Sequence, residues 1–184
     1  MNNFVIGLTG AFGSGCSKIA DVFLVGNKQY VKYSLSKVLK EEYITRNGKA
    51  HEKRKDLQLF GNELRKTDAA YLAKKVVEDI TAAGLSPEQC VVIDSIRNPS
   101  EIAFLRDTFT NFYLFGVFAD YAIRWERVKE DYEGSIDEFN DDEYRDQGLN
   151  EPEYGQKVSN CFFEADLILS NNQSINFTSP NSAY

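Results

Sequence analysis

The sequence has few of the residues that form disulfide frameworks or metal sites. Its 184 residues include three cysteines, which are far apart and form no C-x-x-C pair, so neither a disulfide framework nor a zinc knuckle is expected. The one histidine, His51, has no second histidine four residues on, which argues against most zinc chemistry. Three unpaired cysteines fit a reducing compartment, and we expect a cytoplasmic protein.

Long apolar segments are also missing. The N-terminal residues Met1, Asn2 and Asn3 lack the basic side chains of a signal peptide, and no apolar run approaches the length that spans a bilayer. We therefore expect no association with a membrane. The dinucleotide-binding pattern G-x-G-x-x-G does not occur either, which argues against a Rossmann oxidoreductase.

Acidic residues outnumber basic residues. The chain has 21 Lys and Arg against 28 Asp and Glu, a formal net charge of −7, which argues against a protein that neutralises a nucleic-acid backbone. Residues 130–146 contain nine carboxylates and one base, Arg145, so this segment alone carries −8 and the rest of the chain carries +1. The sequence is thus a nearly neutral domain with one acidic insert.

The remaining composition, 42% apolar and 27% charged, is typical of one soluble globular domain. We predict a single domain over residues 1–172, with the acidic insert at 130–150 and a flexible tail at 173–184. Five short apolar segments alternate with helical periodicity, which predicts an α/β domain with a parallel sheet. The predicted strands are residues 4–9, 29–33, 90–94, 112–119 and 165–169. The predicted helices are residues 19–24, 36–43, 52–82 as one helix or two, a helix from 99, 121–130 and 151–163.

A glycine-rich turn joins the first predicted strand to the first predicted helix. Residues 10–17 are G-A-F-G-S-G-C-S, which matches the phosphate-binding pattern G-x-x-x-x-G-K-[ST] except that Cys16 stands where the lysine belongs. The backbone N–H groups of such a turn and the helix dipole converge on an anion, and Ser17 is placed to bind Mg²⁺. The alternative is a glycine-rich turn needed only for packing.

The missing lysine affects catalysis more than binding. The backbone cradle is kept, but the cation that stabilises a transferring phosphoryl group is lost, and Lys18 is rotated by about 100° around the helix. At a helix N-terminus the thiol pKa of Cys16 is expected to fall, which makes a redox-sensitive residue one option. We favour the alternative, a small residue tolerated in a tight turn.

Polar residues follow the other predicted strands, where ligands of open parallel sheets bind. The second strand leads to Ser34, the third to Asp94 and Arg97, and the last to Asn171. Asp94 is placed to organise Mg²⁺ or act as a base in phosphoryl transfer, and its alternative role is to cap the helix at residue 99. A set of arginines supplies bidentate donors for a polyanionic ligand, although each one alone fits a surface ion pair equally well: Arg65, Arg97, Arg124, Arg127 and Arg145.

Five segments together resemble the P-loop nucleoside monophosphate kinase group, in the branch of deoxynucleotide monophosphate kinases and dephospho-coenzyme A kinase. They are IGLTGAFGSGCS, GNELRK, VVIDSIRNPSEIAFLR, IRWERV and GQKVSNC followed by EADLILSNN. The combination looks closest to the kinase-like N-terminal domain of the anti-phage dCTP deaminases. The zinc deaminase motifs H-x-E and P-C-x-x-C of that family are absent, so the chain is either that domain cut from a longer protein or a stand-alone relative.

This resemblance implies a three-layer P-loop NTPase fold, a five-stranded parallel sheet flanked by helices, that binds ATP or another NTP or dNTP with Mg²⁺. By matching positions, it implies that the metal lies at Ser17 and Asp94, and that Arg65 and Arg97 face the phosphate of a second nucleotide. The candidate catalytic residues are Asp94, Arg97, Arg124 and Arg127, the last two on a lid helix. The candidate nucleotide contacts are Gly10, Gly13, Ser14, Gly15, Cys16, Ser17, Lys18, Ser34, Arg65 and Asn171, the last of these near the base.

Three functions follow from these observations. The first is a regulatory module that senses NTPs or dNTPs in nucleotide metabolism or phage defence. The second is an active (deoxy)nucleoside monophosphate kinase or a dephospho-coenzyme A kinase-like enzyme, in which Lys18 or an arginine replaces the missing lysine. The third is a protein-interaction domain with an inactive site.

Beside nucleotides, the candidate partners are a zinc deaminase or other effector domain on a longer chain and a second copy of this chain. The acidic insert is expected to be mobile, and to face solvent, pair with lid arginines or contact a partner.

Overall fold

The computed structural model describes residues 1, 3–25, 29–50, 53–149 and 151–173. Residues 174–184, most of the predicted tail, lie outside this part. A five-stranded sheet runs through the molecule in the order β2-β3-β1-β4-β5, and every neighbouring pair is parallel. The strands are β1 (Phe4–Thr9), β2 (Tyr30–Ser34), β3 (Cys90–Ile96), β4 (Asn111–Phe118) and β5 (Leu167–Ser170). The predicted fold class is confirmed.

Helices cover both faces of the sheet. They are α1 (Cys16–Leu24), α2 (Leu35–Asn47), α3 (Arg54–Thr67), α4 (Tyr71–Ala83), α5 (Pro99–Thr108), α6 (Tyr121–Val128), α7 (Ile136–Gln147) and α8 (Val158–Phe163), with a 3₁₀ helix at Lys129–Tyr132. Because side chains alternate along a strand, Val5 packs among α2, α4 and α5, whereas the next residue, Ile6, packs against α1. Both are buried, which explains why the central strands are apolar throughout.

The long helical segment at residues 52–82 consists of two helices. The chain leaves helical geometry at Asp68, where φ is −149° and ψ is 107°. The Asp68 carboxylate accepts a hydrogen bond from the backbone N–H of Ala70 (3.1 Å), the residue directly before α4. A local side-chain bond of this kind competes with helix continuation, and it turns the chain between α3 and α4.

The helix predicted for residues 151–163 is wrong over its first seven residues, since α8 begins at Val158. A turn forms instead, closed by the N–H of Gly155 and the carbonyl of Pro152 (2.8 Å). This stretch is held by the loop after β3, because Asn98 Nδ2 donates to the Gly155 carbonyl (2.7 Å) and the Lys157 N–H donates to the Arg97 carbonyl (2.7 Å). Tertiary contacts therefore override the helical pattern.

The acidic insert, expected to be mobile, contains a packed helix. Phe139 of α7 is fully buried, and it lies against Tyr132 and Trp125 in a small apolar cluster that also includes Phe12 of the glycine-rich loop. Six of the nine carboxylates at residues 130–146 are exposed as expected, but the other three are buried: Asp142, Glu143 and Asp146. A strictly solvent-facing insert is thus ruled out.

Candidate nucleotide-binding site

The glycine-rich loop connects the carboxyl end of β1 to the first turn of α1. Gly13 and Gly15 have φ of 79° and 95°, left-handed values that side chains rarely adopt. Gly10 has no such φ, but a Cβ there would lie 2.5 Å from the Val117 carbonyl oxygen. All three glycines are therefore required by this loop conformation.

Three side chains hold the loop by donating hydrogen bonds to its carbonyl oxygens. Arg127 Nη1 donates to the carbonyls of Gly13 (3.2 Å) and Ser14 (3.4 Å), and Asn171 Nδ2 also donates to Ser14 (2.8 Å). Arg124 Nη1 donates to the carbonyl of Phe12 (3.1 Å). These bonds fix the backbone of the loop, in which the Ser14 N–H also closes a turn by donating to the Ala11 carbonyl (2.9 Å).

A cavity of about 900 Å³ opens in front of this loop. Most of the candidate residues meet there: Gly10, Gly13, Ser14, Gly15, Cys16, Ser17, Lys18, Arg65, Arg97, Arg127 and Asn171 all line it. Three do not. Asp94 is buried behind Ser17, Arg124 lies behind the loop, and Ser34 sits at the start of α2, where its hydroxyl is 3.0 Å from that of Ser36.

Ser17 and Asp94 form a hydrogen-bonded pair at the end of β3. Ser17 Oγ donates to Asp94 Oδ2 (2.8 Å), and Ser95 Oγ donates to Oδ1 (3.1 Å). Ser95 has a positive φ of 66°, a strained conformation directly beside the carboxylate. The alternative role of Asp94 as the cap of α5 is wrong, since Asn98 is the N-cap and its side chain accepts from the Ser100 N–H (2.9 Å).

The Cys16 side chain points into the loop, with Sγ 3.6 Å from Ser14 Oγ. Burial raises the pKa of its thiol to about 11, more than the Ser14 hydrogen bond and the Arg97 charge lower it. The expected fall in pKa at a helix N-terminus is therefore wrong. At neutral pH the position that carries a lysine in the phosphate-binding pattern holds an uncharged thiol.

Each of three arginines around the cavity has a carboxylate partner. Arg65 Nε donates to Glu101 (2.9 Å) in a pair that is fully buried. Arg97 Nη1 and Arg54 Nη2 both donate to Asp146 of α7, at 2.7 Å and 2.5 Å. The roles of Arg65 and Arg97 toward a second phosphate thus stay predictions, and both guanidinium groups already have an anion beside them.

The charges of the Asp146 cluster stabilise one another. Burial alone would raise the pKa of Asp146, but the guanidinium groups of Arg54 and Arg97 outweigh it and hold the pKa below its usual range. In the same way, burial alone would lower the pKa of Arg97, and Asp146 raises it above its usual value. Asp146 and Arg97 are therefore both ionised at neutral pH.

Arg124 is likewise paired, although it was expected on a lid. Its two terminal nitrogens donate to the two oxygens of Glu143, both at 2.6 Å, in a bidentate geometry. Nε donates to the Ala119 carbonyl (3.1 Å). Arg124 therefore ties α7 to the back of the glycine-rich loop, and a catalytic role for it stays a prediction.

The α3 wall of the cavity was not predicted from the sequence. Among the described residues, buried side-chain atoms without a hydrogen-bond partner occur only on this helix: Arg54 Nε, Gln58 Oε1, Asn62 Oδ1 and Arg65 Nη1. These residues are four, four and three positions apart and so share one face, and all except Asn62 line the cavity. That spacing of polar residues within a predicted helix was the one available signal.

Lys32 was missed as well. Its ammonium nitrogen on β2 lies 3.6 Å from Asp94 Oδ2, and no sequence pattern connects a residue in the middle of a strand with the loop.

Comparisons with known proteins agree with this geometry. No protein-family model matches the sequence, and no curated protein matches it. Among solved structures, TT1252 from Thermus thermophilus is 19% identical with a TM-score of 0.57, over 94% of this chain and 90% of that one. Shikimate kinase from Acinetobacter baumannii, in complex with shikimate, is 11% identical with a TM-score of 0.50, over 94% and 86%. The fold is that of the P-loop kinases. At these sequence identities the similarity shows the fold alone. The ligand has to be inferred from the residues of the site.

Among the described residues, no helix is long and apolar enough to cross a membrane. The same residues contain no cluster of three or more His, Cys, Asp or Glu side chains that could hold a metal ion.

Proposed function

We propose that this P-loop domain binds a nucleoside triphosphate or deoxynucleoside triphosphate and senses it, rather than transferring its phosphate rapidly. The observation that carries this proposal is the loop: its left-handed glycines and its bonds to Arg124, Arg127 and Asn171 fix it at the N-terminus of α1, where it lines the cavity. A backbone cradle of this kind binds phosphates without a lysine.

The residues behind the loop fit Mg²⁺, since Ser17 and Asp94 bring a hydroxyl and a carboxylate oxygen within 2.8 Å of each other. Such oxygen ligands are those that Mg²⁺ prefers when it accompanies phosphates. Bound with a nucleotide, the ion would neutralise phosphate charge. Ser17 and Asp94 would hold it, and Ser95 orients the carboxylate by its own hydrogen bond.

Slow or absent phosphoryl transfer follows from the charges around the cavity. Cys16 is neutral, the guanidinium group of Arg97 is paired with Asp146, and that of Arg127 donates to the carbonyls of Gly13 and Asn171. A transferring phosphoryl group needs positive charge that is directed at it in the transition state. Sensing needs only the cradle.

Thermal unfolding with ATP, dATP, dCTP and dTTP plus Mg²⁺ tests nucleotide binding. A nucleotide at about 100 times its Kd stabilises by about 2.7 kcal/mol, which corresponds to a Tm increase of about 5 to 10 °C for a chain of this size. Gly15→Ala is expected to abolish the increase, because its φ is 95° and the new Cβ would collide with the Asn171 amide.

The matched control is Gly84→Ala. Gly84 also has a positive φ, 60°, but a Cβ there meets nothing within 4 Å, and it ends α4 away from the loop. Gly84→Ala should keep the nucleotide-dependent increase in Tm despite its own backbone strain. No increase for the wild-type protein with any nucleotide would refute the proposed function and favour the protein-interaction domain.

A second candidate is an active (deoxy)nucleoside monophosphate kinase or dephospho-coenzyme A kinase-like enzyme. The polar stripe on α3 favours it, because Arg54, Gln58 and Arg65 give the same cavity a second wall of unsatisfied donors and acceptors that a second substrate could use.

Restoring the loop lysine separates the two candidates. If the catalytic parts are otherwise complete, Cys16→Lys should raise ADP formation from ATP and a panel of monophosphates by about 100-fold or more, the size of effect expected for one transition-state cation. Cys16→Ala is the control, since it changes the side chain without adding charge. Equal, negligible rates for the wild type and both variants would leave sensing as the function.

The wider setting rests on the sequence resemblance. We infer a single domain over residues 1–172 that acts in the cytoplasm on deoxynucleotide pools during phage defence, joined to or partnered by a deaminase or other effector, without binding nucleic acid. A second copy of the chain is a further partner. The motifs that support these inferences are the five segments shared with the kinase-like domain of the anti-phage dCTP deaminases.

A further inference from the structure

Lys32 brings a positive charge to the back of the phosphate loop from an edge strand of the sheet. Its Nζ lies 2.7 Å from Asp21 Oδ1, 3.2 Å from the Ser17 carbonyl oxygen and 3.6 Å from Asp94 Oδ2. Both Ser17 and Asp21 belong to α1, whereas Asp94 is a buried residue of β3. One ammonium group thus joins the helix that follows the loop to the carboxylate behind it.

The Asp94 carboxylate is the partner that matters most for function. Its side chain is 1% exposed, compared with 58% for Asp21, so water contributes little to its solvation. Asp94 Oδ2 accepts the Ser17 hydroxyl at 2.8 Å and has Lys32 on another side. Charges this close and this weakly solvated interact strongly, and salt screens them little.

This arrangement bears on Mg²⁺ because the same carboxylate oxygen would attract both cations. A divalent ion near Ser17 would be attracted by the Asp94 carboxylate and repelled by the Lys32 ammonium, which Asp94 shares with Asp21. The loop itself has no lysine at the pattern position, where Cys16 is uncharged. Lys32 therefore brings a positive charge from the neighbouring strand to the base of the loop.

We propose that Lys32 is the resident cation of the Ser17–Asp94 pair and makes triphosphate binding by the loop largely independent of Mg²⁺. This inference rests on the nucleotide binding proposed above. Lys32 acts through Ser17 and Asp94, so it is a positioning residue and not a catalytic one.

Calorimetry with the full chain and ATP, and separately dCTP, in EDTA and in excess MgCl₂ tests the inference. The Kd of the wild type should change by less than about threefold between the two buffers. Lys32→Met should weaken binding about tenfold or more in EDTA, with much of the loss recovered in MgCl₂, because the freed carboxylate can then attract the ion. Binding of Mn²⁺ alone, followed by electron paramagnetic resonance, should be tighter in Lys32→Met than in the wild type.

Lys37→Met is the matched control, since Lys37 is an exposed lysine of α2 that is not among the cavity-lining residues, and its removal changes the net charge equally. It should leave binding insensitive to Mg²⁺. The inference is overturned if the wild type itself binds ATP at least about tenfold more tightly with Mg²⁺, or if Lys32→Met loses the same affinity in both buffers. The comparison of the wild-type Kd in EDTA and in MgCl₂ does not depend on whether the variants fold. Absence of nucleotide binding in both buffers is a different result, since it refutes the proposed function itself.

Discussion

At the scale of single residues, the environment decides what a motif position can do. Cys16 occupies a helix N-terminus, where a thiol is expected to ionise easily, yet burial against Ser14 and Gly10 raises its pKa to about 11. Sequence spacing placed this residue in the loop but gave no information on how deeply its sulfur is enclosed. A small residue tolerated in a tight turn is therefore a better description of Cys16 than a redox-sensitive residue.

Alkylation at different pH values checks this assignment. Since the thiolate is the nucleophile, labelling of Cys16 by iodoacetamide should be slow at pH 7 and rise about tenfold per pH unit as the pH increases from 7 toward 10. Peptide mass spectrometry follows the site directly, and the Cys16→Ala protein identifies the background from the other cysteines. Rapid labelling of Cys16 at pH 7 with no further increase would contradict the raised pKa.

At the scale of elements, α7 is held to the domain by ion pairs from three separate parts of the chain. Asp146 receives Arg54 from α3 and Arg97 from the loop after β3, and Glu143 receives Arg124 from α6. None of these partners could be assigned from the sequence, because Asp146 is 92 residues from Arg54 and 49 from Arg97. The composition showed a surplus of acid, and only the fold shows that three of those carboxylates balance arginines.

Removing one of the buried carboxylates tests how much they stabilise the fold. Asp146→Asn leaves two buried guanidinium groups without their anion, so the free energy of unfolding should fall by about 3 kcal/mol in urea denaturation at pH 7. Asp141→Asn on the exposed face of the same helix is the control and should change stability by no more than about 0.5 kcal/mol.

The pH dependence of this difference has a definite sign. The pKa of Asp146 in the folded protein is lowered below its usual 3.8, so its contribution is complete above that value and is lost as the pH falls through the lower folded pKa. The wild type and Asp146→Asn should therefore converge in stability below about pH 4. A difference that stays constant down to pH 3 would exclude Asp146 as its source.

At the scale of the whole molecule, the pattern of the sequence was sufficient for the sheet and the loop. Every strand was predicted within two residues of its observed bounds, because apolar runs between glycine and polar turns are local signals. The helix at 151–157 failed because Asn98 and Arg97, more than 50 residues away, fix that segment as a turn. Lys32 and the polar stripe on α3 were not predicted for the same reason, since their importance depends on residues that are distant in the sequence.

The six exposed carboxylates of residues 130–141 have a kinetic consequence. They account for nearly all of the formal charge of −7, and one of them, Asp131, lies on the rim of the cavity. An incoming triphosphate therefore meets a repulsive field on that side before it reaches the loop, and at 0.1 M salt this field fades over about 10 Å. Encounter is thus faster in salt than in dilute buffer, opposite to a protein that attracts its anionic ligand from a distance.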